Sequence, residues 1–498
     1  MTLAELVRAM GPGSVAGDAN LRITGLAHDS RAARPGDAFF ALPGARTDGN
    51  RHARQALERG AVAVVSELAP PPAPAALPAV WVQVPDAALA LARAADAFYR
   101  APSAALTTIG VTGTNGKTTT TYLMESIAHA LGARAGVIGT VEHRLRSVFV
   151  EKAANTTPPA LELTRLLARL RDAGATHALM EVSSHALALK RVEAVRFDAA
   201  VFLNLTRDHL DFHKSPEAYF EAKARLFDLL ARADNPKAPK IAALNADDPR
   251  SAALARRAID CEVVRFSASG APAELSARVE SASLDGSRLI VNWHGRSAPA
   301  FLRLPGPYNV SNALAALAPL LGLGAPLERA LEGVSALASV PGRLERIDEG
   351  QDFRVFVDFA HTDSALEGVL ALLRGLKPRR LITVFGCGGD RDRTKRGPMG
   401  AAACRGSDMV FATSDNPRTE DPTAILADIE AGIRAEGFQN YRIVPDRSHA
   451  VSAAIREARG GDVVLIAGKG HEQGQILRDR TVAFDDREAA RAALRALK

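Results

Sequence analysis

The sequence predicts an α/β protein built on parallel sheets. Apolar strand-like runs alternate with Ala/Leu-rich helical stretches along the chain, the pattern left by βαβ units. Several of these runs end in glycine-rich or polar loops, as strands do at the mouth of a doubly wound sheet. With 498 residues, 47% of them hydrophobic, the chain has apolar material for about three ordinary cores.

In the first hundred residues DAFFALPG, AVAVVSE and VWVQVPD read as short strands around the helix NRHARQALERG. The Pro-rich PPPAPAAL before Val80 reads as a surface loop, because strand-like VWVQV and helix-like ALALARAADAFYR continue the pattern after it. A boundary is expected near residue 102, where a helix ends in Ala-Pro-Ser ahead of the strand LTTIGVTG. A second is expected near Gly342, after a long Ala/Leu-rich helical region. The predicted domains are therefore an N-terminal α/β domain over 1–101, a central parallel-sheet phosphate-loop domain over 102–342, and a Rossmann-like C-terminal domain over 343–498.

Composition narrows the function classes. The formal charge of +6 and isoelectric point near 9.3 come from dispersed arginines among many acids, with no aromatic-interleaved basic cluster, so nucleic acid is not the expected partner. Cys261, Cys387 and Cys404 form no metal-like pair and leave an odd count, which argues for a reducing compartment. No apolar core of signal-peptide type opens the chain, and no apolar run approaches about 18 residues. A soluble cytoplasmic protein without membrane insertion, and a monomer, is expected.

The stretch GVTGTNGKTTT carries the first chemistry. A Walker loop places glycine five residues before the Gly of Gly-Lys-Thr, and here that position is Val111. The context is nonetheless strand, turn and helix, so Gly113, Thr114, Asn115 and Gly116 sit where backbone amides converge at a helix N-terminus, the place for phosphate. Lys117 can neutralise β- and γ-phosphates, and the Thr118 hydroxyl, with Thr119 beside it, can serve Mg²⁺.

GTNGKT after a strand resembles the ATP loop of the Mur ligase and folylpolyglutamate synthetase superfamily. The resemblance implies that Glu181 in ALMEVSSHAL and His209 in NLTRDHLDFH serve metal ions; both follow apolar strands, where a ligand crevice forms. Taken alone, His209, Asp211 and His213 are only a weak metal cluster. The resemblance further implies that Lys223 in EAYFEAKARLF is carbamylated, which turns a cation into the anionic oxygen donor Mg²⁺ prefers. Residue type alone would make Lys223 a solvated surface charge. Asn309 and Asn312 in PGPYNVSNALAAL match the adenine segment, Arg343 in PGRLER the phosphate contact, and Asp358 in VFVDFAHTDSAL the ribose contact. Phe359 and Asp363 depart from the Tyr and Pro usual in that last motif.

Four strand-like runs in the last 150 or so residues end in loops carrying Arg391, Asp415, Asn416, Pro417, Arg418, Gly468, His471 and Glu472. Arginine forks match carboxylates, and beside acids and amides they suit a zwitterionic amino acid. DNPR resembles the signature of Mur ligases that add meso-diaminopimelate, with Arg418 on the distal carboxylate and Glu472 on the distal ammonium. HDSRAARPGDAFFALPG resembles the family's uridine-diphosphate domain, which implies Ser30 and Arg31 as contacts. Asn155, Thr156, Thr157, Ser183 and Arg191 match acceptor-binding positions, while Leu189 stands where Gln is usual. The resemblance spans nearly the whole chain and implies ATP and Mg²⁺ as cofactors. It implies UDP-N-acetylmuramoyl-L-alanyl-D-glutamate and meso-diaminopimelate as substrates, and a closure that brings the central and C-terminal domains together. A folylpolyglutamate synthetase would share the loop but lack the N-terminal uridine-binding segment and DNPR; an NTPase driving nucleic-acid binding would turn over ATP without an amino acid.

Overall fold

The computed structural model describes residues 1–44, 48–70 and 79–497, so all of PPPAPAAL except Pro70 lies outside the described residues. Two compact units result. One comprises Met1–Arg278, Val291–Ala298 and Val310–Val334; the other comprises Val279–Ile290, Pro299–Asn309 and Ser335–Lys498.

The first unit begins with a five-stranded sheet. Strands Asp37–Phe40, Ala63–Ser66 and Val80–Gln83 run parallel, as their β-branched and aromatic runs predict, with Gly25–Ala27 on one edge and Ser14–Ala16 antiparallel on the other. The helix Ala87–Phe98 starts where the Asp86 carboxylate accepts the Leu89 N–H at 2.9 Å, and it buries Leu91 with Leu3, Phe40 and Val82.

A larger sheet follows, and its centre is the strand Thr107–Thr112. His177–Glu181 lies parallel on one side and Ala199–Phe202 parallel on the other; Ile241–Asn245 and Glu262–Ser267 continue outward, also parallel. Such strands are covered on both faces, which explains continuous runs such as AAVF that are buried at every position. All three central strands point their carboxyl ends the same way. The phosphate loop, Glu181 and the segment leading to His209 therefore emerge side by side.

In the second unit Arg354–Asp358, Val463–Ala467, Leu381–Phe385, Met409–Ala412 and Tyr441–Ile443 form a parallel sheet in that spatial order. Glu345–Ile347 adds an antiparallel edge. Phe356, Phe385 and Leu465 pack one face and Val355, Val384 and Ile466 the other. The loops after residues 358, 385, 412 and 467 share one end of this sheet, as the sequence predicts.

Candidate active site

The phosphate loop turns on two glycines in the left-handed region, Gly113 at φ 156° and Gly116 at φ 93°. A Cβ on Gly116 would sit 2.3 Å from Asn312 Oδ1, so this position needs glycine for both conformation and space. Gly116 has no side chain to cap the helix Lys117–Ala130 that starts beside it. Lys117 Nζ folds back across the loop and donates to the Gly113 and Thr114 carbonyls at 2.8 and 2.9 Å. Thr118 and Thr119 are buried in the first helical turn.

Glu181, 1% exposed at the end of its strand, joins this loop to the segment holding Thr156 and Thr157. One carboxylate oxygen accepts the Thr118 hydroxyl at 3.1 Å and the Thr140 hydroxyl at 2.9 Å; the other accepts the Thr140 N–H at 2.8 Å. Thr140 Oγ1 lies 3.0 Å from Thr156 Oγ1. The buried Thr157 hydroxyl donates to the Glu181 main-chain oxygen at 2.8 Å and accepts the Ser183 N–H at 3.1 Å, while Arg191 donates to the Thr157 carbonyl at 2.8 Å. Ser183 also caps the helix Ser184–Ala188 by accepting the Ala186 N–H. Thr118, Thr140, Thr156, Thr157, Glu181, Ser183 and Arg191 thus form one hydrogen-bonded array. Asn155 is exposed outside it, and Leu189 is 46% exposed at the helix end.

Lys223 is not a surface charge. The helix Pro216–Ala231 buries it at 1% exposure, with Nζ donating to the same Gly113 carbonyl at 2.8 Å and lying 4.5 Å from the centre of the Tyr219 ring. Burial, and then the Lys117 charge, hold this amine well below the ordinary lysine range. A neutral amine is the form that reacts with carbon dioxide. His209 sits at φ 52°, its ring edge-on to His185 at 4.8 Å and Tyr219 at 6.1 Å. Burial lowers its titration, with Lys117 and Lys223 adding to the effect and Asp208 opposing it, so the neutral imidazole that ligates metals is favoured. His213 turns away to Ser184 Oγ at 2.9 Å. Among the described residues no three His, Cys, Asp or Glu side chains cluster as a metal site. The oxygens of Thr118 and Glu181, with the imidazole of His209, nonetheless fit Mg²⁺ chemically, and a carbamate on Lys223 would add the missing oxygen donor.

In the N-terminal sheet region, Ser30 is buried and donates to Gln55 Oε1 at 2.6 Å, and Arg31 pairs with Asp29 at 2.7 Å. The Arg31 hydrogen bonds hold the Asp29 carboxyl down to about 2.

The helix Pro307–Gly322 carries Asn309 and Asn312, both buried; Asn309 Nδ2 donates back to the Pro305 carbonyl at 2.8 Å. In the second unit, Asp358 accepts the Leu344 and Ala360 N–H groups at 2.7 and 2.8 Å, and burial raises its titration against the opposing Arg343 charge. The Arg343 guanidinium stands 5.0 Å from the Phe359 ring centre, and that ring packs on His471 at 5.1 Å. Asn416 Nδ2 donates to Glu472 at 2.8 Å, and Lys469 Nζ reaches Asp415, Asn416 and Glu472 together. Arg418, at φ 54°, donates to the Gly389 carbonyl at 2.7 Å. A Cβ on Gly388 would stand 2.9 Å from Arg418 Nη1 and 3.8 Å from Arg391 Cγ, so both arginines flank that glycine. Pro417 directs the chain between Asn416 and Arg418, and Gly468 at φ 113° opens the loop from Asp358's neighbouring strand.

Four residues of these arrays escaped sequence reasoning. Thr140 follows the strand Ala135–Ile138, and that strand-end position was its only signal. Tyr219 shields Lys223; its aromatic ring one helical turn earlier was the signal. Lys469 lies between Gly468 and His471 on a loop already singled out for those residues, and Gln475, which donates to the Asp415 carbonyl at 2.7 Å, had no signal at all.

Three family models match in chain order: the Mur ligase family catalytic domain over 22–99, the Mur ligase middle domain over 111–320, and the Mur ligase glutamate ligase domain over 342–470. The chain belongs to the Mur ligase family. Among curated relatives it is 49% identical, over 96% of its length and 94% of the relative's, to a UDP-N-acetylmuramoyl-L-alanyl-D-glutamate--2,6-diaminopimelate ligase of Solibacter usitatus. An equally titled protein of Geobacter metallireducens is 45% identical across 100% of this chain and 99% of its own. A solved structure of a ligase with that title aligns with TM-score 0.71 at 33% identity, covering 100% of this chain and 99% of that one. Among the described residues no helix is long and apolar enough to cross a membrane.

Proposed function

We propose that this chain is an ATP-dependent amide-bond-forming ligase. It joins meso-2,6-diaminopimelate to the D-Glu γ-carboxylate of UDP-N-acetylmuramoyl-L-alanyl-D-glutamate, a cytoplasmic step of peptidoglycan precursor synthesis. The observation that carries the reading is the Glu181 array, which ties Thr118 of the phosphate loop to Thr156, Thr157, Ser183 and Arg191. A ligase must hold a phosphoryl donor and a carboxylate acceptor in one register, and a lone phosphate loop does not require that connection.

In this reading a γ-carboxylate oxygen attacks the γ-phosphorus of ATP, the β,γ-anhydride bond breaks with release of ADP, and an acyl phosphate forms. The diaminopimelate amine then attacks the acyl carbon, and the tetrahedral intermediate releases phosphate and leaves the amide. Lys117 and the loop amides hold the phosphates, Asn309 and Asn312 the adenine, Arg343 a phosphate and Asp358 the ribose. Thr118, Glu181, His209 and carbamylated Lys223 would hold Mg²⁺, which neutralises charge on the transferred group. Ser30, with Asn155, Thr156, Thr157, Ser183 and Arg191, receives the UDP-dipeptide. Arg391, Asp415, Asn416, Pro417, Arg418, Gly468 and Glu472 form the amino-acid site. We place domain boundaries near residues 102 and 342 and take the working form as a monomer.

The test is phosphate release with ATP, Mg²⁺ and the UDP-dipeptide, comparing meso-diaminopimelate with L-lysine. Release confined to diaminopimelate, with the tripeptide product detected by mass, supports the reaction and the Arg418 reading. Equal release with lysine keeps the ligase and removes the specificity argument, and release with neither amino acid removes the function.

A further inference from the structure

Lys469 lies between Gly468 and Gly470 on the loop after the strand Val463–Ala467, and its side chain is 0% exposed. The ammonium donates to Asn416 Oδ1 and Glu472 Oε2, both at 3.0 Å, and reaches Asp415 Oδ1 at 3.5 Å. Three protons meet three acceptors of the amino-acid site, so Lys469 itself has no donor left for a ligand. Asn416 Oδ1 accepts a second bond, from the Ile476 N–H at 2.9 Å. Two donors on one oxygen decide which way the amide faces, and they turn its NH₂ group to Glu472 Oε2 at 2.8 Å. Glu472 Oε2 is then occupied twice, while the side chain as a whole keeps 36% exposure.

The charge balance points the same way. Facing Glu472 are Lys469 and His471 on its own loop, Asp415 from the loop after Met409–Ala412, and Arg447 from the helix Arg447–Glu457. Arg447 is committed elsewhere, locked to the equally buried Asp486 at 2.7 Å. Arg391 and Arg418 flank Gly388 on a further loop. Burial raises the Glu472 carboxyl, but the Lys469 charge and the bonds from Asn416 and Lys469 outweigh it and hold the group below the usual carboxylate range.

We propose that Lys469 is a positioning residue: a buried counter-charge that fixes Asn416 and keeps Glu472 ionised and aimed to receive the distal ammonium of the amino acid. This rests on the diaminopimelate reading above. Without Lys469, Asp415 and Glu472 would lose the ammonium that both of them reach, and Glu472 would take up a proton at higher pH.

The test is steady-state kinetics of Lys469→Met against the unaltered protein from pH 5.5 to 8.5, varying each substrate in turn. The expected result is a KM for diaminopimelate raised at least about tenfold, KM values for ATP and the UDP-dipeptide within about twofold, and an acid limb of kcat/KM for diaminopimelate moved to higher pH. A KM within twofold with an unmoved limb overturns the proposal. Should the methionine variant fail to fold by circular dichroism, Asn416→Asp decides. It replaces the donor that Lys469 orients with an oxygen facing Glu472, so the limb must again move up in pH, and an unmoved limb overturns the proposal. If the unaltered protein releases no phosphate with diaminopimelate, the functional reading falls and this inference with it; normal turnover with an unaffected Lys469→Met removes the inference alone.

Discussion

Replacing Thr157 by valine keeps the side-chain shape and removes one hydroxyl, which makes it a sharp test of the Glu181 array. That hydroxyl, on a residue 1% exposed, donates to the Glu181 main-chain oxygen at 2.8 Å and accepts the Ser183 N–H at 3.1 Å. Valine leaves both groups unpartnered. A buried unsatisfied group costs about 1–3 kcal/mol, and the half-buried Ser183 amide falls at the low end because water reaches it, so the loss should be about 2–4 kcal/mol. Each kcal/mol moves the thermal midpoint by roughly 2 °C in a unit of this size, so a drop of several degrees is expected by scanning fluorimetry. The same change loosens Ser183 and the carbonyl that holds Arg191. The KM for the UDP-dipeptide should therefore rise about tenfold, equivalent to about 1.4 kcal/mol, with the KM for ATP little changed. Thr157→Ser keeps both bonds and should restore the KM. A valine variant with an unshifted midpoint and KM refutes the claim that this hydroxyl connects acid and acceptor segment.

Four further outcomes are expected. Lys117→Ala should lower phosphate release by at least about 10²-fold while circular dichroism stays unchanged, since it removes the charge that lies across the loop; near-normal turnover would sink the phosphate-loop role. Lys223→Ala should lose turnover and regain part of it with a short-chain carboxylic acid, whereas full activity without the acid refutes the carbamate. Lys223→Met should be the more stable protein at pH 7 in carbon-dioxide-free buffer. Burial depresses this lysine in the folded state only, so its penalty is largest at low pH and fades as pH climbs toward about 10.4; midpoints that differ by the same amount from pH 7 to 10 contradict this. Arg418→Lys should narrow the preference for diaminopimelate over L-lysine by about tenfold or more, because an ammonium lacks the guanidinium fork, and an unchanged preference assigns the distal carboxylate elsewhere.

What was legible in the sequence follows from what period and punctuation encode. The strands TTIGV, RVFVD, LITVF and VVLIA announced themselves as short apolar runs, and the loops after them could be assigned to one end of a sheet because parallel strands share a direction. The short strands Ser14–Ala16 and Gly25–Ala27 had no such signal, being three residues each and partly exposed. Lys223 shows the limit most clearly. Its helix was readable from EAYFEAKARLF, but its burial depends on which face meets the loop, and a lysine on a helix carries no mark of that.

The same limit explains why residue types were found more readily than the bonds between them. Strand-end logic brings Thr118, Thr140 and Glu181 to one rim without saying that one carboxylate oxygen serves both hydroxyls. That sharing has a consequence. The Glu181 side chain answers to the phosphate loop, while its main-chain oxygen answers to Thr157, so a displacement on either side is transmitted through one residue that is 1% exposed and has little room to absorb it. The proposed phosphoryl donor and acceptor sites are thereby held in register by the end of a single strand. Changes at Thr157 and at Thr118 should accordingly be non-additive in kcat, and a double-mutant cycle that gives simple additivity would separate the two sites.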